Sequence, residues 1–211
     1  MRPLKENFKI LPVGPLEVNC VIVKCPVTSK IAVFDPGDDA DSIIDLISSL
    51  DGEPVCIINT HCHYDHIGAV EKLRKEYNIP FYVHEAEEEY ALDPSKNYSG
   101  TAGTGFSITP DHTFKDGDVI NAGEMKFKVI HTPGHTLGGS CFLYDGVLIS
   151  GDTLFAGDIG RTDLYGGNTD TLIRSVRERL SVLDPQTIVI PGHGRTTRIK
   201  DEKWFNPYMK E

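Results

Sequence analysis

A short segment in the first third of the chain carries four side chains that commonly bind metals. It reads His61-Cys62-His63-Tyr64-Asp65-His66 and follows an apolar, strand-like run. In an extended chain, residues two apart project to the same side, so His61 and His63 can hold one ion together. Asp65 and His66 lie where the chain turns into a predicted helix, and they can face a neighbouring ion. Imidazole nitrogens with carboxylate oxygens bind zinc, and they also suit iron or manganese.

Three more predicted strands lead into a residue that can bind a metal. His135 follows a strand and a Pro-Gly turn, Asp152 directly follows a strand, and His193 follows a strand with glycine on either side. Glycine beside a ligand lets the backbone approach closely and turn sharply. We interpret Asp35, which ends another strand, as a supporting or turn residue and not as a ligand. The candidate ligands are therefore His61, His63, Asp65, His66, His135, Asp152 and His193.

The size of this set distinguishes between two kinds of metal site. A structural zinc takes four ligands in a tetrahedron, whereas seven ligands can fill two catalytic sites. The sequence therefore predicts an enzyme with two divalent metal ions, zinc first and iron or manganese as alternatives. Asp65 and Asp152 are the predicted catalytic carboxylates within the set.

Four other residues of similar chemistry fall outside this pattern. We interpret His84, His112 and His131 as ordinary polar side chains. The side chain of Cys62 should point away from its histidine neighbours, because adjacent residues of an extended chain project to opposite sides. A buried structural thiol is thus preferred at Cys62 over a ligand. The five cysteines form no close CxxC pair, which is typical of reduced thiols in a cytosolic protein.

Rigid elements must position these ligands, and the chain predicts many short strands. Apolar, β-branched runs bounded by Gly, Pro, Asp or Asn are typical of strands. Such runs are Phe8–Val13, Val18–Val23, Ile31–Phe34, Val55–Asn59, Phe81–Val83, Met125–Ile130, Cys141–Tyr144, Val147–Ile149 and Thr187–Ile190. The predicted strands place each candidate ligand at or just beyond a strand end.

Helical periodicity indicates what covers the sheets. Ser42–Leu50, Ala69–Tyr77 and Thr169–Leu183 each carry a one-sided apolar stripe, and the acidic segment Glu85–Leu92 is a fourth predicted helix. Asp93–Gly105, rich in Gly, Ser and Thr, is a predicted mobile loop. This order of elements favours an α/β fold in which mixed sheets carry helices on their outer faces. Since no repeat or linker interrupts it, we predict a single domain over residues 1–211.

Composition excludes several classes of function. The formal net charge of −10 argues against a nucleic-acid partner, which normally needs a basic surface. No apolar run approaches the roughly 20 residues that span a bilayer, and the first residues form no secretory signal. We therefore predict a cytoplasmic protein with no membrane contact and a small-molecule substrate.

The ordered series from Asp35 through His61-x-His63-x-Asp65-His66 to His193 resembles the metallo-β-lactamase fold. That resemblance implies a four-layer αββα sandwich, with two mixed β-sheets flanked by helices. It also implies that His61, His63 and His135 hold a first metal. Asp65, His66 and His193 would hold a second metal, with Asp152 bridging the two.

Further motifs are similar to glyoxalase II-like hydrolases in their short, single-domain form. They are Thr132-Pro133-Gly134-His135-Thr136, Gly151-Asp152-Thr153-Leu154-Phe155 and Gly160-Arg161-Thr162-Asp163-Leu164. One departure is Tyr165, where this subfamily is expected to have proline. The chain also stops soon after His193, whereas longer glyoxalase II enzymes continue into a helical region that supplies most glutathione contacts. The motifs therefore do not specify which acyl group or which thiol carrier the substrate contains.

The resemblance implies a hydrolase that acts on a small acyl thioester with a metal-activated hydroxide. A thiolate is a good leaving group, so this reaction needs no strong general acid. Arg161 is a candidate for contact with an anionic substrate group, but it could equally form an ion pair with Asp163. The sequence offers no Ser-His-Asp order or nucleophile elbow that would compete with this scheme.

Two alternatives share the same motifs. A persulfide dioxygenase, which is similar in its His-Cys-His and Gly-Arg-Thr-Asp motifs, would bind a single iron at His61, His135 and Asp152. We favour the hydrolase because Thr153-Leu154-Phe155 resembles the hydrolases more closely. Flavin-partnered electron-transfer members usually lack the histidine at position 63 and carry an extra domain, so that class is disfavoured. The acidic charge disfavours a nuclease.

Overall fold

The computed structural model describes residues 4–210. Within that range the chain forms two six-stranded sheets. The strands of the first sheet are β1 (Phe8–Val13), β2 (Val18–Lys24), β3 (Lys30–Phe34), β4 (Glu53–Ile58), β5 (Phe81–His84) and β6 (His112–Phe114). Those of the second sheet are β7 (Val119–Ala122), β8 (Met125–His131), β9 (Ser140–Tyr144), β10 (Val147–Gly151), β11 (Ile188–Pro191) and β12 (Thr197–Arg198).

Both sheets are mixed. In the first sheet, β1, β2 and β3 pair antiparallel in that order, and the pairings from β3 through β6 are parallel. The second sheet has the order β12-β11-β10-β9-β8-β7, and of these pairings the one between β10 and β11 is parallel. The turn between β9 and β10 has positive φ at Asp145 and Gly146, as tight hairpin turns require.

Helices flank both sheets on their outer faces. Their bounds are α1 (Ala40–Ser49), α2 (Tyr64–Ile67), α3 (Val70–Tyr77), α4 (Glu88–Leu92), α5 (Thr169–Arg174) and α6 (Ile199–Phe205). A 3-10 turn over Glu85–Glu87 leads into α4, and α5 continues as a π-helical segment over Ser175–Leu180. Among residues 4–210, every helix is too short or too polar to cross a lipid bilayer.

Three groups of buried apolar side chains separate four layers. Between the sheets, Phe34 of β3 contacts Phe127 of β8 with ring centroids 5.0 Å apart. Outside the first sheet, Ile43 of α1 and Leu73 of α3 are fully buried. Outside the second sheet, Leu172 of α5 is buried in a third group. The layers thus run helices, sheet, sheet, helices, and the predicted αββα sandwich is confirmed.

All nine predicted strands and all four predicted helical segments are present, with small shifts at their ends. The sequence did not predict β6, β7, β12, α2 or α6. The β6 and β12 strands contain three and two residues, which is too short for a periodic pattern. The α6 helix exposes 82% of Trp204, so its apolar residues do not form the one-sided stripe that identifies a helix.

The loops that carry the candidate ligands meet at one edge of the sandwich. β3 and β4 are parallel in the first sheet, and β10 and β11 are parallel in the second. Backbone hydrogen bonds join the loops of the two sheets there: Ser140 donates to the carbonyl of Thr60 at 2.9 Å, and Asn19 donates to that of Gly192 at 2.7 Å. This edge is therefore built from both halves of the chain.

Candidate metal centre

The loop after β4 and the short helix α2 carry four of the predicted ligands. His61 lies in the loop, His63 has extended backbone at the start of α2, and Asp65 and His66 occupy its single turn. The buried amide of Asn59 donates to the carbonyl oxygens of His61 at 3.2 Å and His66 at 2.8 Å. This side chain therefore fixes both ends of the ligand-bearing segment.

Three histidines form the first group of converging donor atoms. Nε2 of His135 lies 3.2 Å from Nε2 of His61 and 2.9 Å from Nδ1 of His63. All three side chains are buried. On the far side of its ring, Nδ1 of His135 donates to the carbonyl of Arg161 at 2.7 Å. That hydrogen bond leaves Nε2 as the nitrogen with a free lone pair, as metal binding requires.

Asp65, His66 and His193 form the second group. Oδ2 of Asp65 lies 3.8 Å from Nε2 of His66 and 3.4 Å from Nε2 of His193. His193 comes from the loop after β11, and its Nδ1 donates to the carbonyl of Leu16 at 2.8 Å. Its Nε2 is therefore also directed at the group as an acceptor.

Asp152, which directly follows β10, lies between the two groups. Its Oδ1 is 3.5 Å from Nε2 of His66, and its Oδ2 is 3.6 Å from Nε2 of His135 and 3.7 Å from Nε2 of His193. Gly192 passes directly against this carboxylate, because a Cβ at that position would lie 2.1 Å from Oδ1. The structure thus brings all seven predicted residues together, with one carboxylate placed between two groups.

This donor set fits divalent cations better than it fits a hydrogen-bonded interior. The donor atoms form three groups, and within each group all atoms lie within 4.8 Å of one another. The groups are His61, His63 and His135; His61, His66 and Asp152; and Asp65, His66 and His193. Oδ1 of Asp152 and Nε2 of His66 are buried and have no hydrogen-bond partner within the part of the chain that the structure describes. Such an orphaned group costs roughly 1–3 kcal/mol, and a cation among the donors would satisfy it.

Most of the ligands have the protonation state that metals require. Burial, reinforced by neighbouring histidines, lowers the pKa of His63 to about 3 and that of His61 well below its usual value. Burial opposes ionisation of Asp152, but the surrounding histidines hold the pKa of this carboxyl well below its usual range. Neutral imidazoles and ionised carboxylates are the forms that bind metals. His66 and His193 differ: burial opposes their protonation, but the carboxylates of Asp65 and Asp152 outweigh it and raise the pKa of both histidines.

A second layer of hydrogen bonds orients the ligands, and Asp35 belongs to it. The backbone N–H and the hydroxyl of Thr60 each donate to the Asp35 carboxylate at 2.7 Å. The same carboxylate lies 3.2 Å from Nδ1 of His66, and Oγ1 of Thr60 lies 3.1 Å from Nδ1 of His61. The structure therefore places Asp35 behind the ligands and not among them.

Sequence reasoning missed Glu87, which lies in the acidic segment before α4. Its side chain is fully buried and accepts hydrogen bonds from the backbone of Cys62 at 2.7 Å and Gly138 at 2.9 Å. Burial raises the pKa of this carboxyl to about 7 despite these two donors. A run of glutamates is typical of an exposed helix face, so no sequence pattern indicates this role.

The remaining candidates lie outside the two groups. Cys62 is fully buried, and burial together with Glu87 raises the pKa of its thiol well above the usual value. His84 and His131 stack on each other with ring centroids 4.2 Å apart, and His112 contacts Tyr82.

A cavity of about 510 Å³ opens onto the centre. Its wall includes the apolar side chains of Leu16, Phe155 and Leu164, and Arg161 lies at the same wall. Nε and Nη2 of Arg161 each donate to a carboxylate oxygen of Asp163 at 2.8 Å. Arg161 thus makes the ion pair foreseen as one of its two roles. A larger groove of about 890 Å³ lies beside α3 and contains none of the seven residues.

Comparison with protein families matches residues 13–193 to the Metallo-beta-lactamase superfamily. The chain belongs to this superfamily. Among curated relatives, this metallo-beta-lactamase superfamily member is 37% identical to the probable metallo-hydrolase YqgX of Bacillus subtilis, over 96% of this chain and 97% of the relative. It is 32% identical to the hydroxyacylglutathione hydrolase GloC of Haemophilus influenzae, over 96% and 98% of the two chains.

Several solved structures are similar to this chain over nearly its whole length. The B3 metallo-beta-lactamase BLEG-1 matches with a TM-score of 0.90 and 38% identity, covering 97% of this chain and 100% of that one. TTHA1623 in a di-iron-bound form matches with a TM-score of 0.85 and 31% identity, covering 95% and 99%. ETHE1 from Myxococcus xanthus matches with a TM-score of 0.81 and 26% identity, covering 95% and 83%. Divalent metal binding at the His/Asp groups agrees with these relationships.

Proposed function

We propose that this metallo-hydrolase superfamily member is a binuclear thioesterase of the glyoxalase II type that cleaves a small acyl thioester. The observation that carries the proposal is the position of Asp152 between two complete groups of donor atoms. Such an arrangement suits a pair of cations and a hydrolytic reaction. The similarity to GloC, a hydroxyacylglutathione hydrolase, over nearly its whole length supports the choice of a thioester.

In this proposal each group of donors holds one metal ion. His61, His63 and His135 would hold the first ion. Asp65, His66 and His193 would hold the second, and Asp152 would bridge the two. Zinc suits imidazole with carboxylate ligands, and iron or manganese are alternatives. The di-iron-bound form of TTHA1623 supports iron as the main competitor of zinc.

When bound, two divalent ions would supply a hydroxide near neutral pH and polarise the carbonyl oxygen of the substrate. Asp65 and Asp152 line the cavity, where their ionised carboxylates can accept hydrogen bonds from water and orient it. The apolar side chains of Leu16, Phe155 and Leu164 can pack against the acyl or thiol part and exclude bulk water.

Metal analysis paired with activity assays tests the proposal. Freshly purified protein should contain about two metal ions per chain and hydrolyse S-lactoylglutathione or a related thioester. His63→Ala and Asp152→Ala should each lower kcat/KM by about 100-fold or more, because each removes a donor atom from the centre. His112→Ala, which changes a histidine outside the two groups, serves as the control. Full activity in both site variants would refute the mechanism.

A persulfide dioxygenase is the second candidate, because the structure is similar to that of ETHE1. A mononuclear iron would use His61, His135 and Asp152, and the atoms of these residues converge here as well. The complete second group around Asp65 and His193 favours the hydrolase, since a mononuclear enzyme does not need it. A single iron per chain, with sulfite formed from glutathione persulfide and oxygen, would reverse this preference.

A further inference from the structure

The loop after α4 is anchored beside the metal centre on both sides of Tyr98. The backbone N–H of Tyr64 donates to the carbonyl of Asn97 at 2.8 Å. The fully buried Asn97 side chain donates to the carbonyl of Phe106 at 3.1 Å and accepts from the N–H of Ser99 at 2.9 Å. Ser99 is also fully buried. The two neighbours of Tyr98 are therefore fixed in the interior.

Tyr98 itself has a backbone conformation that large side chains rarely adopt. Its φ is +66°, in the left-handed region that glycine and asparagine favour. In this conformation its ring lines the cavity and lies 5.5 Å from the ring of His63, measured between centroids. Such strain persists where the surrounding structure dictates it, and it clusters at functional sites.

Among residues 4–210, the phenol oxygen of Tyr98 has one hydrogen-bond partner, and its own proton is not used in that bond. It accepts a hydrogen bond from the backbone N–H of Tyr165 at 2.7 Å. Because that bond uses an oxygen lone pair, the hydroxyl proton is left to be donated. Tyr90 shows the contrasting, structural case. It is fully buried, and its hydroxyl both donates to the carbonyl of Tyr165 and accepts from the N–H of Leu137.

The backbone N–H of residue 165 is available as a donor because this chain has Tyr165 where the glyoxalase II-like pattern is expected to have proline. Proline, the residue expected at this position, has no backbone N–H and could not make the bond to Tyr98. Any other residue type supplies the donor, so the side chain of Tyr165 is not needed for it. Its own hydroxyl lies 3.4 Å from Glu89, away from Tyr98.

We propose that Tyr98 contacts the substrate by donating its hydroxyl proton to an oxygen acceptor, and that the N–H of Tyr165 positions it. The inference rests on the proposed function, because the thioester would occupy the same cavity. The acceptor is an uncharged oxygen of the substrate. It can belong to the thioester carbonyl, to a 2-hydroxyl of the acyl group or to an amide of the thiol carrier.

Three variants of the zinc-loaded protein test the proposal. Tyr98→Phe removes the donor, Tyr165→Pro removes the positioning N–H, and Tyr165→Phe keeps that N–H as the matched control. We expect Tyr98→Phe and Tyr165→Pro to lower kcat/KM by roughly three- to tenfold, the value of one uncharged hydrogen bond. Tyr165→Phe should match the wild type. Metal content should be equal in all four proteins.

Three substrates locate the acceptor. S-Lactoylglutathione carries all the oxygens, S-propionylglutathione lacks the 2-hydroxyl, and the lactoyl thioester of ethanethiol lacks both amides of the carrier. The substrate on which Tyr98→Phe no longer differs from the wild type lacks the acceptor. An equal loss on all three places the acceptor at the thioester carbonyl.

Several results would overturn the proposal. The first is wild-type kcat/KM in Tyr98→Phe on all three substrates. The second is a reduced metal content in that variant. The third is a loss of kcat/KM in Tyr165→Phe equal to that in Tyr165→Pro. If Tyr165→Pro fails to fold, Tyr98→Phe decides alone. A wild type inactive on every thioester would contradict the proposed function instead. In that case calorimetric titration with lactate and S-methylglutathione tests Tyr98, and equal affinities in wild type and Tyr98→Phe reject the contact.

Discussion

At the scale of single residues, Gly192 controls how closely two loops approach at the centre. A Cβ at this position would lie 2.1 Å from Oδ1 of Asp152 and 2.9 Å from Cε1 of His66. No real Cβ tolerates such distances, so either the carboxylate or the backbone after β11 would have to move. Gly194 differs, because a Cβ there meets open space although its φ is +75°.

We expect Gly192→Ala to lower bound metal per chain and to reduce kcat/KM by about tenfold or more, since it displaces the carboxylate between the two groups. Gly194→Ala should cost stability through backbone strain but leave the metal content unchanged. Metal analysis by mass spectrometry on both variants checks the difference. Wild-type metal content in Gly192→Ala would contradict the steric argument.

At the scale of elements, Glu87 links the turn before α4 to two ligand-bearing loops. It accepts from the backbone of Cys62, between His61 and His63, and from Gly138, three residues after His135. One buried carboxylate therefore fixes the loops of both sheets relative to each other. Burial raises its pKa from the ordinary value of 4.5 to about 7.

This raised pKa predicts how stability depends on pH. Between pH 4.5 and about 7 the folded protein holds a proton on Glu87 that the unfolded chain has lost. The corresponding stabilisation is complete below pH 4.5 and disappears as the pH rises through about 7. From pH 5 to pH 8, wild type should therefore lose on the order of 1–3 kcal/mol more unfolding free energy than Glu87→Gln, which stays neutral.

Urea unfolding of the chelated proteins at the two pH values measures this difference. Chelation keeps the pH dependence of metal binding out of the comparison. If wild type and Glu87→Gln lose the same free energy of unfolding, the folded carboxyl titrates near its ordinary value and the prediction is wrong.

At the scale of the whole molecule, the metal centre joins the two sheets. His61 and His63 follow β4 of the first sheet, whereas His135, Asp152 and His193 follow β8, β10 and β11 of the second. Ions bound between these loops would stabilise the folded chain and not the unfolded one. Such binding raises the free energy of unfolding by mass action.

Removal of metal should therefore lower the melting temperature of the whole chain. For a chain of this size we expect a decrease on the order of 10 °C when a chelator is added, and recovery when zinc is returned. The His63→Ala and Asp152→Ala variants should respond less, because they bind metal more weakly. Differential scanning calorimetry checks this, and an unchanged melting temperature after complete metal removal would contradict it.

Local chemistry and short periodicity predicted the ligand types, their places at strand ends, and mixed sheets with helices on their outer faces. The signals were imidazole and carboxylate donors, glycines beside them, and alternating or one-sided apolar patterns. The four-layer order was implied by the family resemblance. Strands too short to show a period, such as β6 and β12, escaped prediction.

Which atoms meet depends on the tertiary structure. The position of Asp152 between the two groups, the burial of Glu87 and the hydrogen bond from Tyr165 to Tyr98 all join residues far apart in the chain. No local pattern encodes such contacts, because they depend on how the two sheets pack face to face and bring their loops to one edge of the sandwich. The same glutamate would be solvated on an isolated helix, and burial between two ligand loops makes it part of the site.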